Sequence, residues 1–401
     1  MEFWKKETPS LRRLLRSRGM RRLRKAMAGM KEPKQKGKTR HPTWVCLLII
    51  LLSLTHGKDW VVDAHSFALR HEGKLRKLFG EGYATPSYCT LVRALHKIGP
   101  LSEALASSMG FSAGGSEGCQ MDGKLVRATR DSASSNSALD IVEIRLGSGM
   151  ADFEPCGPGS KEISERKAME ALIRRNAKKL RKAGSPLTID AIAADSLFTP
   201  ILHSLHIPFC ICIKNERKGL GDAIASDFLA RRDELRPLKE TKKAGGRIDA
   251  REFYYIEDPA EAWKVYGKKR WEGVAHLGMV RRTTTCLKTG EVTVQVRYYL
   301  LSKEVDHRSF KKARSGHWSI ESSHWVIDNS FGEDRHRLGH KDHMAALAMG
   351  ILRRKAYEAI RSCLTASMDF SKARRELSEE GFREVLYVLS GKAARAISKT
   401  A

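Results

Sequence analysis

Cys119-Gln120-Met121-Asp122 and Leu187-Thr188-Ile189-Asp190 are two short apolar runs that each close on an aspartate. Both read as buried strands, and an aspartate closing such a strand in an α/β sheet projects to the rim where ligands collect. Strand and helix patterns alternate around them. Leu139-Asp140-Ile141-Val142-Glu143-Ile144 has period two, Ile163 to Leu180 is a basic amphipathic helix, a helix lies near Leu197 to Leu205, and Phe209-Cys210-Ile211-Cys212-Ile213-Lys214 is a further strand. That alternation predicts α/β organisation. From about Asn215 to Leu301 the pattern is irregular and strand-rich, ending in Val292-Thr293-Val294-Gln295-Val296-Arg297-Tyr298-Tyr299-Leu300-Leu301, and a helix-rich section runs from His307 onward. No internal repeat is visible.

Upstream of the first aspartate, residues 41 to 115 read as a compact all-helical unit with breaks at Gly57, at Gly80 and Gly82, and at Pro100. The Gly-rich stretch from Gly110 to Gly118 is its expected boundary. Within it, Trp44-Val45-Cys46-Leu47-Leu48-Ile49-Ile50-Leu51-Leu52-Ser53-Leu54 invites a membrane reading. A bilayer-crossing helix needs about 20 apolar residues, and this run has about half that before His56, Lys58 and Asp59. A buried helix is expected instead.

The 401 residues carry 73 Lys+Arg against 46 Asp+Glu, a net charge of +27, with 41% apolar residues. A core can therefore form, and the surplus favours a polyanionic partner, nucleic acid before an anionic membrane. The first 40 residues hold 15 Lys+Arg against Glu2, Glu7 and Glu32, a local net of +12, and read as a basic flexible arm that either binds nucleic acid or is simply solvated. The eight cysteines (46, 89, 119, 156, 210, 212, 286, 363) form no C-x2-C pair, so no zinc site is implied and a reduced compartment is the default.

A third carboxylate lies in Arg314-Ser315-Gly316-His317-Trp318-Ser319-Ile320-Glu321-Ser322-Ser323-His324-Trp325-Val326-Ile327-Asp328. At helical spacing His317, Glu321, His324 and Asp328 share one face, with Trp318, Trp325 and Phe331 on an adjacent stripe. The stretch reads either as a core helix whose tryptophans pack or as a helix presenting Glu321. Three carboxylates from two strands and one helix would supply oxygen ligands for a pair of hard cations, the arrangement used for in-line phosphoryl transfer.

At these residues the chain resembles the DDE-type insertion-sequence transposases of the H-repeat-associated, Rhs-linked group. The matching pieces are Asp122-Gly123-Lys124 with Arg127, Thr188-Ile189-Asp190-Ala191, Ile213-Lys214-Asn215, Tyr298-Tyr299-Leu300-Leu301-Ser302, His317-Trp318-Ser319-Ile320-Glu321, His324-Trp325-Val326-Ile327-Asp328 and Phe331-Gly332-Glu333-Asp334, in that order over about 41 to 360. The resemblance implies an α/β, ribonuclease-H-like catalytic core with a β-rich insertion, preceded by a small all-α domain. The expected units are a basic arm (1–40), a helical N-terminal domain (41–115), the first part of the core (116–215), the insertion (216–300), the second part of the core with the Glu-bearing helix (301–360) and a C-terminal helical tail (361–401).

Carried over residue by residue, Asp122, Asp190 and Glu321 are the catalytic and metal-binding triad for two Mg2+ (or Mn2+) ions, with Asp195 the alternative second carboxylate. Lys124, Arg127, Lys214, Arg314, His317 and His324 are the candidate DNA contacts. The implied activity is cutting at terminal inverted repeats and joining 3′ ends to target DNA. The partners are then double-stranded DNA and, by analogy, a second copy in a homodimer on DNA, with no membrane, in a prokaryotic cytoplasm at the nucleoid. The alternative is a catalytically inactive, transposase-derived DNA-binding protein. The chain departs from the wider superfamily, which has Tyr, Arg and Lys where Arg314, His317 and Asp328 stand, so a phosphate-binding role for that Lys would fall to Lys311 or Arg335. Ala128-Thr129 replaces the usual small Gly-Ser, and Ala151 to Ser160 looks like an extra loop.

Overall fold

The computed structural model describes residues 9–33, 39–109, 118–130, 138–147, 149–157, 161–190, 198–213, 219–259, 271–335, 343–364, 369–379 and 381–390. The basic N-terminal run is helical where described, as α1 (Leu11–Leu15) and α2 (Arg18–Ala28), the latter capped by Ser17, whose hydroxyl accepts from the Met20 amide at 3.2 Å. Its arginines alternate with Leu14, Met20, Leu23 and Met27, which recur on one face and are buried. The expected flexible arm is therefore docked over residues 11–28, because an amphipathic face this apolar is not left in water.

Five helices follow: α3 (Thr43–Thr55), α4 (Val61–Arg70), α5 (Glu72–Phe79), α6 (Tyr88–Ile98) and α7 (Ser102–Met109). α3 contains the apolar run and is buried all round from Val45 to Thr55, the condition that a helix without a polar face requires. Gly57 and Gly80 turn the chain with φ of 85° and 109° after α3 and α5.

The sheet then begins with β1 (Cys119–Val126), β2 (Leu139–Leu146) and β3 (Gly149–Pro155), continues through α8 (Lys161–Ala183), β4 (Leu187–Ile189), α9 (Phe198–Ser204), β5 (Phe209–Ile213) and α10 (Leu220–Ala230), and ends in a meander of β6 (Leu238–Ala244), β7 (Arg247–Glu257), β8 (Val274–Cys286) and β9 (Val292–Ser302). Its order is β3-β2-β1-β4-β5-β9-β8-β7-β6. β4 and β5 run parallel to β1, and the other neighbours are antiparallel. The mixed α/β organisation is as expected. Of the segment read as an extra loop, Ala151 to Pro155 belong to β3: Phe153 pairs with Glu143 and is buried, and the pattern Met150 to Phe153 outweighs the loop signals of Pro155 and Gly157.

One sheet face carries Met121, Val142, Ile144, Leu187 and Ile189 against α8. The opposite face meets α11 (His307–Ser330) and α12 (His343–Arg361), followed by α13 (Phe370–Glu379) and α14 (Phe382–Leu389). α12 packs on α3 and α6, so the N-terminal helices, the C-terminal helices and Val126, Ile141 and Phe153 of the sheet share one core. The C-terminal segment, expected as a tail, contributes Phe382, Val385 and Leu386 to that core.

A Cβ on Gly19 would land on the Ser390 carbonyl after α14. On a detached helix Gly19→Ala stabilises by up to about 1 kcal/mol; on this docked one it should destabilise by about 1–3 kcal/mol. Chemical denaturation of the two proteins gives the sign.

Candidate active site

β1 pairs with β4 up to Met121–Ile189, so Asp122 and Asp190 occupy the next position on adjacent parallel strands. Met121 and Ile189 point into the core beneath α8. Strand alternation therefore turns both aspartates to the other face. Asp122 lies inside β1 rather than at its end, since the antiparallel ladder to β2 continues through Val126; it closes only the parallel ladder. Asp190, directly after β4, is exposed.

α11 lies across this face. Asp306 caps it, accepting from the Ser309 amide at 2.7 Å. His317 is buried, with Nδ1 2.8 Å from Thr188 Oγ1, and burial together with nearby Arg314 pushes its pKa down to about 3, so it is a neutral tether to β4. Arg145 of β2 donates to the Ser319 carbonyl at 3.0 Å. These bonds hold half-buried Glu321 one turn further on, facing the aspartates. Burial pushes Asp122 up to about 6; His324 opposes the shift, and the charges of Asp190 and Glu321 add to it. Asp122 thus lies close enough to both Asp190 and Glu321 to feel their charges. Among the described residues no group of three His, Cys, Asp or Glu side chains is close enough to hold a metal ion as placed.

Behind Asp122 runs a chain of charges. His324 lies between Asp122 (3.6 Å) and Glu143 (3.5 Å). Arg354 of α12 joins Glu143 at 2.7 Å to Glu333 at 2.9 Å. Lys124 then links Glu333 at 3.5 Å to Asp328 of α11 at 2.5 Å. Burial, the largest single influence, would raise Glu143 and Glu333, but it is outweighed by the basic groups together, Arg354 with His324 at Glu143 and Arg354 with Lys124 at Glu333; Glu143 is held well below the usual carboxylate range and Glu333 at about 2.

The expected DNA contacts divide. The Lys124 ammonium is buried among carboxylates, His317 is buried, and His324 is bracketed by acids. Arg127 is exposed, with its amide bonded to Asp334 at 2.9 Å, and Arg314 lies 5.5 Å from the Tyr299 ring centre. Lys214 and Asp195 lie outside the described residues. Of the proposed substitutes, Lys311 donates to the Lys239 carbonyl at 2.8 Å. Glu143, Glu333 and Arg354 carried no expected role. A glutamate flanked by Val142 and Ile144 was the available signal for Glu143, whereas its pairing with Arg354 spans 211 residues and leaves no local trace.

Residues 158–353 match the family described as the transposase DDE domain. That span, just under half of the chain, is similar to the transposase DDE domain. The matched span includes Asp190, Glu321 and Glu333, and Asp122 lies before it. The chain is also similar to "H repeat-associated putative transposase YhhI" of Escherichia coli K12, 21% identical over 319 residues, 75% of this chain and 80% of that one. It is 33% identical over 86 residues to "Putative transposase YncI" of Escherichia coli O157:H7, 21% of this chain and 22% of the relative. A piggyBac transposase synaptic complex with hairpin DNA aligns with 94% of this chain and 77% of its own at 10% identity and a TM-score of 0.33, too slight a likeness to carry an argument.

Within the matched span, Glu333→Ala leaves Arg354 and Lys124 each short of a partner and should destabilise the protein by about 3 kcal/mol at pH 7. Because the Glu333 carboxyl is depressed, its contribution is present above the ordinary glutamate value and lost as pH falls through about 2. Denaturant titrations at descending pH should show the gap between wild type and variant narrowing below about pH 4.5.

Proposed function

We propose that the chain is a DNA transposase that cuts at the terminal inverted repeats of its element and joins the 3′ ends to target DNA. The observation that carries this reading is the placement of Asp122 and Asp190 side by side on β1 and β4 beneath Glu321 of α11, within a chain whose residues 158–353 match the transposase DDE domain. The order β3-β2-β1-β4-β5, with β4 and β5 parallel to β1, supports a ribonuclease-H-like core, and β6 to β9 would be its insertion. The surplus of positive charge supports double-stranded DNA as partner.

Asp122, Asp190 and Glu321 are the residues that would hold divalent cations, Mg2+ or Mn2+. Their donor set fits: three hard oxygen ligands whose mutual repulsion is already expressed at Asp122. Two such ions, when bound, activate the attacking oxygen and stabilise the leaving one. The protein's own part is positional. His317 and Arg145 fix α11 over β4 and β2, and His324, held between Asp122 and Glu143, orients the first carboxylate. Of the expected basic contacts, Arg127 and Arg314 are the ones we assign to DNA, whereas Lys124, His317 and His324 act inside the fold. Two element ends must meet, so a homodimer on DNA in a prokaryotic cytoplasm is the assembly proposed.

Asp122→Asn, Asp190→Asn and Glu321→Gln should each lower Mg2+- or Mn2+-dependent cleavage of duplexes bearing the inverted ends by about three orders of magnitude, the effect of removing several kcal/mol of charge stabilisation. DNA binding should persist, and a chelator should abolish cleavage by wild type. Full activity in any one variant would remove that residue from the site. A wild-type chain that binds DNA without cutting it would favour the inactive, transposase-derived binding protein.

A further inference from the structure

The strongest unassigned feature is a cavity of about 40 Å3 between α11 and the β7–β9 face, walled by Arg251, Arg282, Arg297, Arg314, Tyr299 and Trp318. Strand register brings three of the four arginines together, and α11 supplies Arg314. Arg251 lies directly opposite Arg282 on β7 and β8, and Arg297 of β9 lies opposite Val280, one step along the same face of β8. Like charges placed opposite each other across a ladder destabilise a sheet, so folding alone does not account for this row.

Two of the arginines are compensated. Arg282 forms a fork with Asp249 at 2.8 and 3.0 Å, and Arg251 reaches Glu240 at 3.5 Å; both guanidinium groups lie against the Trp318 ring, at 5.6 Å for Arg251 and 5.5 Å for Arg282. The other two are not. Among the described residues Arg297 and Arg314 make no hydrogen bond or ion pair, and Arg314 has only the Tyr299 ring at 5.5 Å. Two guanidinium forks without carboxylates thus open on one small cavity whose rim is stiffened by a tryptophan. A water needs about 15 Å3 or less, so the space suits a small oxyanion and is too small for a nucleobase. Guanidinium forks match phosphate oxygens bidentately.

Position names the occupant. Arg314 stands seven residues before Glu321 on α11, about 10 Å along the helix, or some three nucleotide rises. The geometry points to a subsite for one backbone phosphate of the DNA strand, within about three nucleotides of the phosphate facing Glu321, held by Arg297 and Arg314 while Arg251, Arg282 and Trp318 form its wall. This deepens the transposase reading and rests on it for the identity of the strand.

The test is binding without chemistry: fluorescence anisotropy of a short DNA duplex with the full chain in EDTA, over a series of NaCl concentrations. Each phosphate contact contributes about 0.9 to the slope of log affinity against log salt. Arg297→Ala and Arg314→Ala should each lower that slope measurably, and the double variant by about 1, the most that one phosphate allows, uniformly across DNA sequences. Arg174→Ala, at an exposed side chain of α8 across the sheet that pairs with Glu170, should leave it unchanged. Arg297→Lys restores the charge and should recover the slope, which a folding defect would not. Unchanged slopes in the single and double variants overturn the subsite even if cleavage by wild type is intact. Lowered slopes in a protein that does not cleave would support the subsite and leave the catalytic reading to fall alone.

Discussion

The pairing of Lys124 with Asp328 and Glu333, and of Arg354 with Glu333 and Glu143, is the interaction on which the site depends. Asp122, Lys124 and Glu143 share the sheet face that receives α11, and left alone two of them would repel while the third would be a stranded buried cation. Buried ion networks are poor sources of net stability, but breaking one is costly, so their use is to select one arrangement over its neighbours. Here the selected quantity is the register of α11. Asp328 lies two turns beyond Glu321. Tying it to β1 at the one end, while His317 is tied to β4 at the other, fixes the height of Glu321 over the aspartates.

The alternation of strands and helices around Asp122 and Asp190 was legible because period-two patterning is local, and so was the burial of Val45 to Leu54, whose helix has no polar face. Glu321, His317 and His324 could be grouped from helical spacing alone. Lys124 shows where such reasoning stops. A lysine two residues after a candidate catalytic aspartate reads as a substrate contact, and only the return of the chain two hundred residues later supplies the carboxylates that occupy it. β3 failed for the opposite reason: Pro155 and Gly157 are strong local punctuation, while the pairing with β2 that overrides them is tertiary. The docking of α1 and α2 was visible in the spacing of Leu14, Met20, Leu23 and Met27 but was masked by the density of charge around them.

The β6–β9 meander is not a separate body. β9 pairs with β5 through its last residues and with β8 along its length, so one strand belongs to both halves of the sheet. Phe310 of α11 packs on Phe253 and Tyr299, and Gly278 of β8 leaves just enough room for the Phe310 ring. The helix that carries Glu321 therefore rests on the meander with its first turns and on the core with its last, so the arginine-lined cavity and the carboxylates are carried by one rigid element.

An open sheet of nine strands ends in two edges, and the protein treats them differently. β3 is overlain by α7, α8 and α12, whereas β6 is touched by α11, whose Lys311 donates to the Lys239 carbonyl, and turns exposed Lys239, Lys242 and Lys243 to solvent. Closely spaced lysines on a lone strand repel an approaching copy before its amides can pair. A sheet that would otherwise template its own extension into fibrils is thus closed by cover at one side and by charge at the other.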